Sequence, residues 1–167
     1  SEVEGTKSSN RSPQQSEARR TYQPGQIEQT QNCLQRGNKF LRLGQHERAI
    51  TKFDEAIAGD PTYAKPHYGR GLALNKRRRF KEAEASFAKA TELDDKYTKA
   101  WYSLGLVRKR LSNANGAIAA FNKAIEGNPN YDKAYYSKGM THYTLQKNRY
   151  ADAASSFESA TKANPKY

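Results

Sequence analysis

Residues 98–131 read TKAWYSLGLVRKRLSNANGAIAAFNKAIEGNPNY, and within them Ala117, Phe121 and Ala124 stand at i, i+4 and i+7. That spacing sets three apolar side chains on one face of an α-helix. Twelve residues before Ala117 lies Gly105, and Pro129 follows the triplet. The stretch predicts two helices joined by a turn and closed by proline, which ends a helix and pushes the residue before it away from helical angles. Small alanines let a neighbouring helix approach, and phenylalanine fills the space beside them. A glycine inside the first helix costs about 1 kcal/mol against alanine. It is tolerable where two helices pack too closely for a side chain.

The same triplet recurs at Ala49–Phe53–Ala56, Ala83–Phe87–Ala90 and Ala153–Phe157–Ala160. The first three copies are spaced by 34 residues and the last by 36. Gly37 and Gly71 precede their triplets as Gly105 does, whereas Gly139 lies fourteen residues ahead of Ala153. A two-residue insertion therefore falls between the halves of the fourth unit, around Leu145–Arg149. Pro61 and Pro165 close two further units, with Asp95 in the equivalent place of the second. One such hairpin cannot bury its apolar face alone, but stacked hairpins can, so the units come in series.

On these residues the chain resembles the tetratricopeptide repeat family. The family's pattern is best kept in Trp101, Leu104, Gly105, Ala117, Phe121, Ala124 and Pro129. The resemblance covers residues 30–167 as repeats 30–63, 64–97, 98–131 and 132–167. It implies an all-α solenoid of four helix–turn–helix hairpins, wound into a right-handed superhelix whose concave side is lined by the first helix of each unit. It is nearly silent on function, because the family is defined by a scaffold. There are departures. Arg108 and His142 stand where an aromatic or apolar residue is usual, Leu74 is a mild variant, and Arg78 and Ser112 replace the turn glycine represented by Gly44. Arrays of this kind usually finish with a polar capping helix, and none follows the fourth unit. The last helix, expected to carry Ala154, Phe157 and Ala160 on its inner side, then lacks a neighbour. Either the native protein continues, or this end docks against another copy to give a homo-oligomer.

Composition draws a boundary near residue 29. Ser1 to Thr30 is rich in Ser, Gln, Glu, Arg and Thr, and its apolar residues are Val3, Ala18, Tyr22 and Ile27 besides Pro13 and Pro24. So little apolar surface cannot offset the roughly 1–2 kcal/mol per residue that backbone ordering costs, which predicts a disordered lead-in over residues 1–29. Residues 1–29 hold four basic and four acidic side chains, while residues 30–167 hold 25 and 13. The whole net charge of +12 thus belongs to the repeats. It favours acidic partners, whether protein segments, nucleic acid or a membrane surface. The single cysteine, Cys33, rules out an internal disulfide framework and reads as a buried packing thiol. No apolar run approaches the ~18 residues of a membrane helix. The compartment stays open between the cytoplasm and, after loss of a targeting segment, export.

What the resemblance implies about ligand contacts can be placed residue by residue along the first helices. The second residue of each unit is Gln31, Lys65, Lys99 or Lys133, the fifth Leu34, Tyr68, Tyr102 or Tyr136, and the ninth Asn38, Leu72, Leu106 or Met140. The last turn adds Leu41, Arg42, Asn75, Lys76, Lys109, Arg110, Tyr143 and Thr144. Three lysines 34 residues apart form a ladder suited to a partner segment with several carboxylates. The alternative is a set of solvated lysines paired with acids such as Asp132. Tyrosine at the fifth place also packs between helices whatever the protein binds, yet beside Leu72, Leu106 and Met140 it would make an apolar strip flanked by cations. One subclass of the family holds acidic chaperone tails in a two-carboxylate clamp, whose places here are Leu34, Asn38, Gly69, Lys99 and Ser103. Only Asn38 and Lys99 match.

Two basic runs, Lys76–Arg79 and Arg108–Arg110, fall at turns and could merge into an edge patch for phosphates, which keeps nucleic acid or an anionic membrane as the second reading. Catalysis has no support. His46, His67 and His142 lack metal-ligand spacing, and there is neither a phosphate-binding glycine loop nor a nucleophile elbow, so no cofactor is expected. The expectation is a non-enzymatic scaffold that takes an acidic or mixed apolar–acidic segment in a basic groove.

Overall fold

The structure, a computed structural model, describes residues 24–145 and 149–166. Eight helices and no strands occur among them: α1 (Pro24–Arg42), α2 (His46–Gly59), α3 (Ala64–Lys76), α4 (Phe80–Leu93), α5 (Thr98–Arg110), α6 (Ala114–Gly127), α7 (Asp132–Leu145) and α8 (Tyr150–Ala163). The dominant packing joins α1 to α2, α3 to α4, α5 to α6 and α7 to α8, with weaker contact from each pair to the next. Within the first pair Gln26 donates to the Gly59 carbonyl at one end, and the Arg48 guanidinium lies 4.7 Å from the Phe40 ring centre at the other. The helices of a pair are therefore antiparallel.

The turns follow from local hydrogen bonding. After α1, Gln45 N donates to Phe40 O and Gly44 N to Leu41 O, with Gly44 at φ 71°. This is the Schellman pattern, in which a left-handed residue satisfies the helix's last carbonyls. The same pair of bonds closes α3 around Arg78 (φ 61°) and α5 around Ser112 (φ 60°). Between hairpins an Asx turn starts the reversal: the side chains of Asp60, Asp94, Asn128 and Asn164 each accept from the backbone N–H two residues on.

The core is a row of phenylalanines held between glycines. Phe53, Phe87 and Phe121 are fully buried. A Cβ on Gly71 would lie 2.6 Å from the Phe87 ring, and one on Gly105 2.5 Å from Phe121. Phe53 is enclosed twice, by Gly37 of its own hairpin at 2.6 Å and by Gly69 of the next at 2.5 Å. The close packing expected at the glycine of the first helix thus takes the form of a seat for a ring.

Three expectations shift. α1 starts at Pro24 rather than at residue 30. Proline is well suited to the first helical position, and polar residues do the anchoring: Thr30 is buried and Gln26 bonds Gly59. Residues 1–23 of the lead-in lie outside the described residues, as do 146–148 of the insertion. On α8 the inner residues are Ala153, Phe157 and Ala160, whereas Ala154, one position and about 100° further round the helix, is exposed. Finally, Phe157 is only half-buried, unlike its three counterparts. A shallow depression of about 280 Å³ bounded by Tyr136, Met140, Phe157, Ala160 and Thr161 lies beside it.

Candidate functional site

Helix geometry decides which side chains share one face of the first helices. Gly69 meets Phe53 of the preceding hairpin and Gly71 meets Phe87 of its own. Residues two apart point about 200° apart, so α3 is wedged between two rings on nearly opposite sides. Of the two remaining faces, one carries the buried Pro66, Ala73 and Leu74. The other, an arc of roughly 100°, carries Lys65, Tyr68, Leu72, Asn75 and Lys76. The repeat transfers this arc to Lys99, Tyr102, Leu106, Lys109 and Arg110 on α5, to Lys133, Tyr136, Met140, Tyr143 and Thr144 on α7, and to Gln31, Leu34, Asn38, Leu41 and Arg42 on α1. First helices also touch one another directly, α1 with α3 and α5 with α7.

Along this surface the tyrosines are braced rather than loose. Tyr68 packs on Phe87 (ring centres 5.7 Å apart) and on Tyr97 of the following linker (4.9 Å). Tyr102 repeats the arrangement with Phe121 (5.9 Å) and Tyr131 (5.0 Å), and its hydroxyl lies 3.4 Å from Ser137 Oγ. Burial pushes the Tyr97 and Tyr131 hydroxyls up to about 12, with the neighbouring tyrosines adding to it. Tyr136 packs on Phe157 at 5.6 Å and stays exposed, as does Tyr143. Leu72, Leu106 and Met140 are half-exposed between them. The strip is therefore an apolar surface in which Tyr68 and Tyr102 are held by their ring partners Tyr97 and Tyr131. Those two were missed in the sequence, although their own 34-residue spacing marks them.

Lys65, Lys99 and Lys133 are exposed, and neither they nor Arg42, Lys76, Lys109 and Arg110 form an ion pair among the described residues. Asp132, the acid nearest the ladder in sequence, accepts instead from the Lys133 backbone N–H and from Asn164 Nδ2 at 2.7 Å. Lys109 is partly buried, and that desolvation, with Arg110 beside it, lowers its pKa. Arg110 rests 5.5 Å from the Phe80 ring centre.

The turn arginines differ. Arg77 binds Glu47 (2.8 Å), Arg79 binds Glu82 (2.7 Å) and approaches Glu47 (3.8 Å), and Arg108 binds Glu84 (2.9 Å). Most of the two basic runs outside the groove is thus already neutralised. Over whole helices, α1, α3, α5 and α7 carry twelve basic and two acidic side chains, against six and nine on α2, α4, α6 and α8.

Three family models describing the tetratricopeptide repeat match the chain, over residues 37–77, 64–97 and 102–167. This is a tetratricopeptide repeat protein. No curated protein matches it by sequence. Among solved structures, a crystal structure of MamA is 26% identical with a TM-score of 0.78, over 82% of this chain and 79% of that one. The second tetratricopeptide repeat domain of human RPAP3, solved in complex with an HSP70 peptide, is 29% identical with a TM-score of 0.67, over 70% and 97%. The first such domain of Spaghetti (RPAP3), bound to an HSP90 peptide, shares the fold at 24% identity and a TM-score of 0.69, over 71% and 94%. The tetratricopeptide repeat protein described here is accordingly a protein-interaction scaffold.

Other sequence candidates resolve as structural. Cys33 is buried and its thiol donates to Glu55 Oε2 at 3.4 Å; burial first, and Glu55 second, raise its pKa. Gly69, one of the clamp places, is occupied by the Phe53 contact. Among the described residues no group of three or more His, Cys, Asp or Glu could hold a metal, and no helix is long and apolar enough to cross a membrane.

Proposed function

We propose that this protein binds an acidic or mixed apolar–acidic segment of another protein in the groove formed by α1, α3, α5 and α7. The observation that carries this reading is that seven cations sharing one face of the first helices form no ion pair among the described residues, whereas Arg77, Arg79 and Arg108 at the turns do. Lys65, Lys99 and Lys133 stand at the second residue of their helices, where the backbone already presents partial positive charge. A cation there opposes the helix dipole, so the arrangement costs the helix a little and gives an arriving carboxylate two attractions at once. Peptide binding by the human RPAP3 domain supports a peptide as the ligand. The clamp residues are mostly absent here, so the carboxylates would be met by the lysine ladder and not by that clamp.

The test is the triple variant Lys65→Glu, Lys99→Glu, Lys133→Glu in a pull-down of partners, with Arg77→Glu, Arg79→Glu alongside. Loss of partners from the first and retention by the second is the expected outcome. The reverse pattern, accompanied by salt-sensitive binding of nucleic acid or anionic vesicles, would transfer the function to the turn edge.

A further inference from the structure

Resting on that reading, we infer that the groove's occupant is an amphipathic α-helix with acids on both flanks. The groove has two cationic rails. One runs along the helix starts, Lys65, Lys99 and Lys133; the other along the helix ends, Arg42, Lys76 and Arg110, each the last residue of its helix. Lys65 and Lys76 are eleven residues apart, as are Lys99 and Arg110. Eleven residues make about three turns, so both rails point the same way, and they are separated by roughly 16 Å along each helix. Between them lies the floor of Tyr68, Leu72, Tyr102, Leu106 and Met140.

That width selects the occupant. A helix with its side chains is about 10–12 Å across, so one lying on the floor brings glutamates on both flanks within reach of both rails. An extended segment is about as wide with its side chains, but these alternate between two opposite directions, so acids set toward both rails leave no side chain for the floor, and side chains set on the floor leave the rails unmet. An apolar stripe with acids on either side is the complement of an apolar floor with cations on either side.

The rails are also staggered. Gln31 breaks the first rail in hairpin one and Thr144 breaks the second in hairpin four, so three cations on one side are offset by one hairpin from three on the other. Packed neighbouring helices lie about 10 Å apart, which is six or seven residues of a docked helix at about 1.5 Å each. Each flank of the partner then needs an acid about every seventh residue, the two series displaced by about one such step. An extended chain would need one about every third residue.

The experiment uses two synthetic peptides of about 20 residues, long enough to cross three hairpins as a helix. The first has a Leu/Met stripe and a glutamate at every seventh place on each flank; the second is the same with two central prolines. Fluorescence anisotropy with the full chain should show the first binding at least ten-fold tighter, with a gain of helical circular dichroism on mixing. Reversing either rail, by R42E/K76E/R110E or by K65E/K99E/K133E, should weaken it at least ten-fold while the variants' own dichroism is unchanged. Equal binding of the proline peptide, or no effect of R42E/K76E/R110E, overturns the helix and leaves the acidic-segment reading standing. If neither peptide binds while a short oligonucleotide does, both readings fall.

Discussion

The first helices and the second helices of this protein answer the same packing problem with opposite electrostatics. Both layers supply small or aromatic residues to one seam, yet the first layer has ten more basic than acidic side chains and the second has three more acidic than basic. The fold does not require the difference, because the seam is apolar and the charges lie off it. In the second layer Lys52, Lys89, Lys123 and Lys162 each find an acid one turn away. Such exposed pairs contribute only about 0.2–0.5 kcal/mol, but they leave little field for a ligand. In the first layer Arg70 and Arg108 are paired, to Asp54 and Glu84, but Arg42, Lys65, Lys76, Lys99, Lys109, Arg110 and Lys133 form no ion pair among the described residues. Stability is thus carried by what the layers share, and in the function proposed above recognition is carried by what they do not.

The largest effect should come from breaking the shared seam. Phe121→Ala removes a fully buried ring seated on Gly105, and urea unfolding should show a loss of about 3–5 kcal/mol. Phe157→Ala at the half-buried end should lose clearly less. Equal losses would mean that the fourth hairpin is covered in solution by something absent from the chain itself, such as a second copy.

The next effect separates the layers. Reversing Lys65, Lys99 and Lys133 should weaken an acidic peptide by at least about 100-fold, or roughly 2.7 kcal/mol, with little change in unfolding free energy. Reversing Lys52, Lys89 and Lys123 on the second layer should alter affinity by no more than about three-fold, since screening over a Debye length of about 8 Å mutes charges on the far side. Isothermal titration of both triples decides the matter. Similar losses would show that net charge alone, and no particular face, attracts the ligand.

How much of this was legible depended on whether one residue carried its own partner's signature. Phe121 and Gly105 are readable together, because an alanine triplet at helical spacing and a glycine inside a helix both report helices in close contact. Gly69 was not readable as the second seat of Phe53, because it depends on the next hairpin, and Ser103 and Ser137 keep only small size at that register. The lysine ladder could be seen as a repeat, but that it forms no ion pair among the described residues could not. Glu47 is thirty residues from Arg77 and Glu84 twenty-four from Arg108, so the pairing that quiets the turn runs appears only once the hairpins stack. The start of α1 was misplaced because composition measures apolar surface, whereas Gln26 and Thr30 hold that helix by polar contact and fit.

A smaller effect lies in the turns, where the layers join. Arg78 and Ser112 hold left-handed backbone in the place Gly44 fills. That conformation costs an ordinary residue roughly 1–2 kcal/mol, part of which glycine returns through its greater freedom when unfolded. Arg78→Gly and Ser112→Gly should each raise stability by about 0.5–1 kcal/mol, read from the urea midpoint. A loss in either would mean that the side chain itself holds the turn.

The smallest effect tests whether the first layer's two faces are independent. His67 lies on α3 toward the second layer, lining a recess with Asp54, Arg70, Ser86 and Lys89, and its Nε2 is 3.1 Å from the Pro61 carbonyl. Burial lowers its pKa below 6.5, with Lys89 and Arg70 helping and the Pro61 contact and Asp60 opposing. Above that value both folded and unfolded chains hold it neutral. As the pH falls through it, the unfolded chain takes up the proton first, so stability should decline until the lower folded pKa is passed and then level off. Urea unfolding between about pH 7.5 and 5.5 should show this decline, and His67→Gln should remove its share. Groove affinity for an acidic peptide should stay flat over the same range, since the peptide's glutamates titrate near pH 4.3. A parallel drop in affinity would show that His67 reaches the groove through α3, and the two faces of that helix would then be one device.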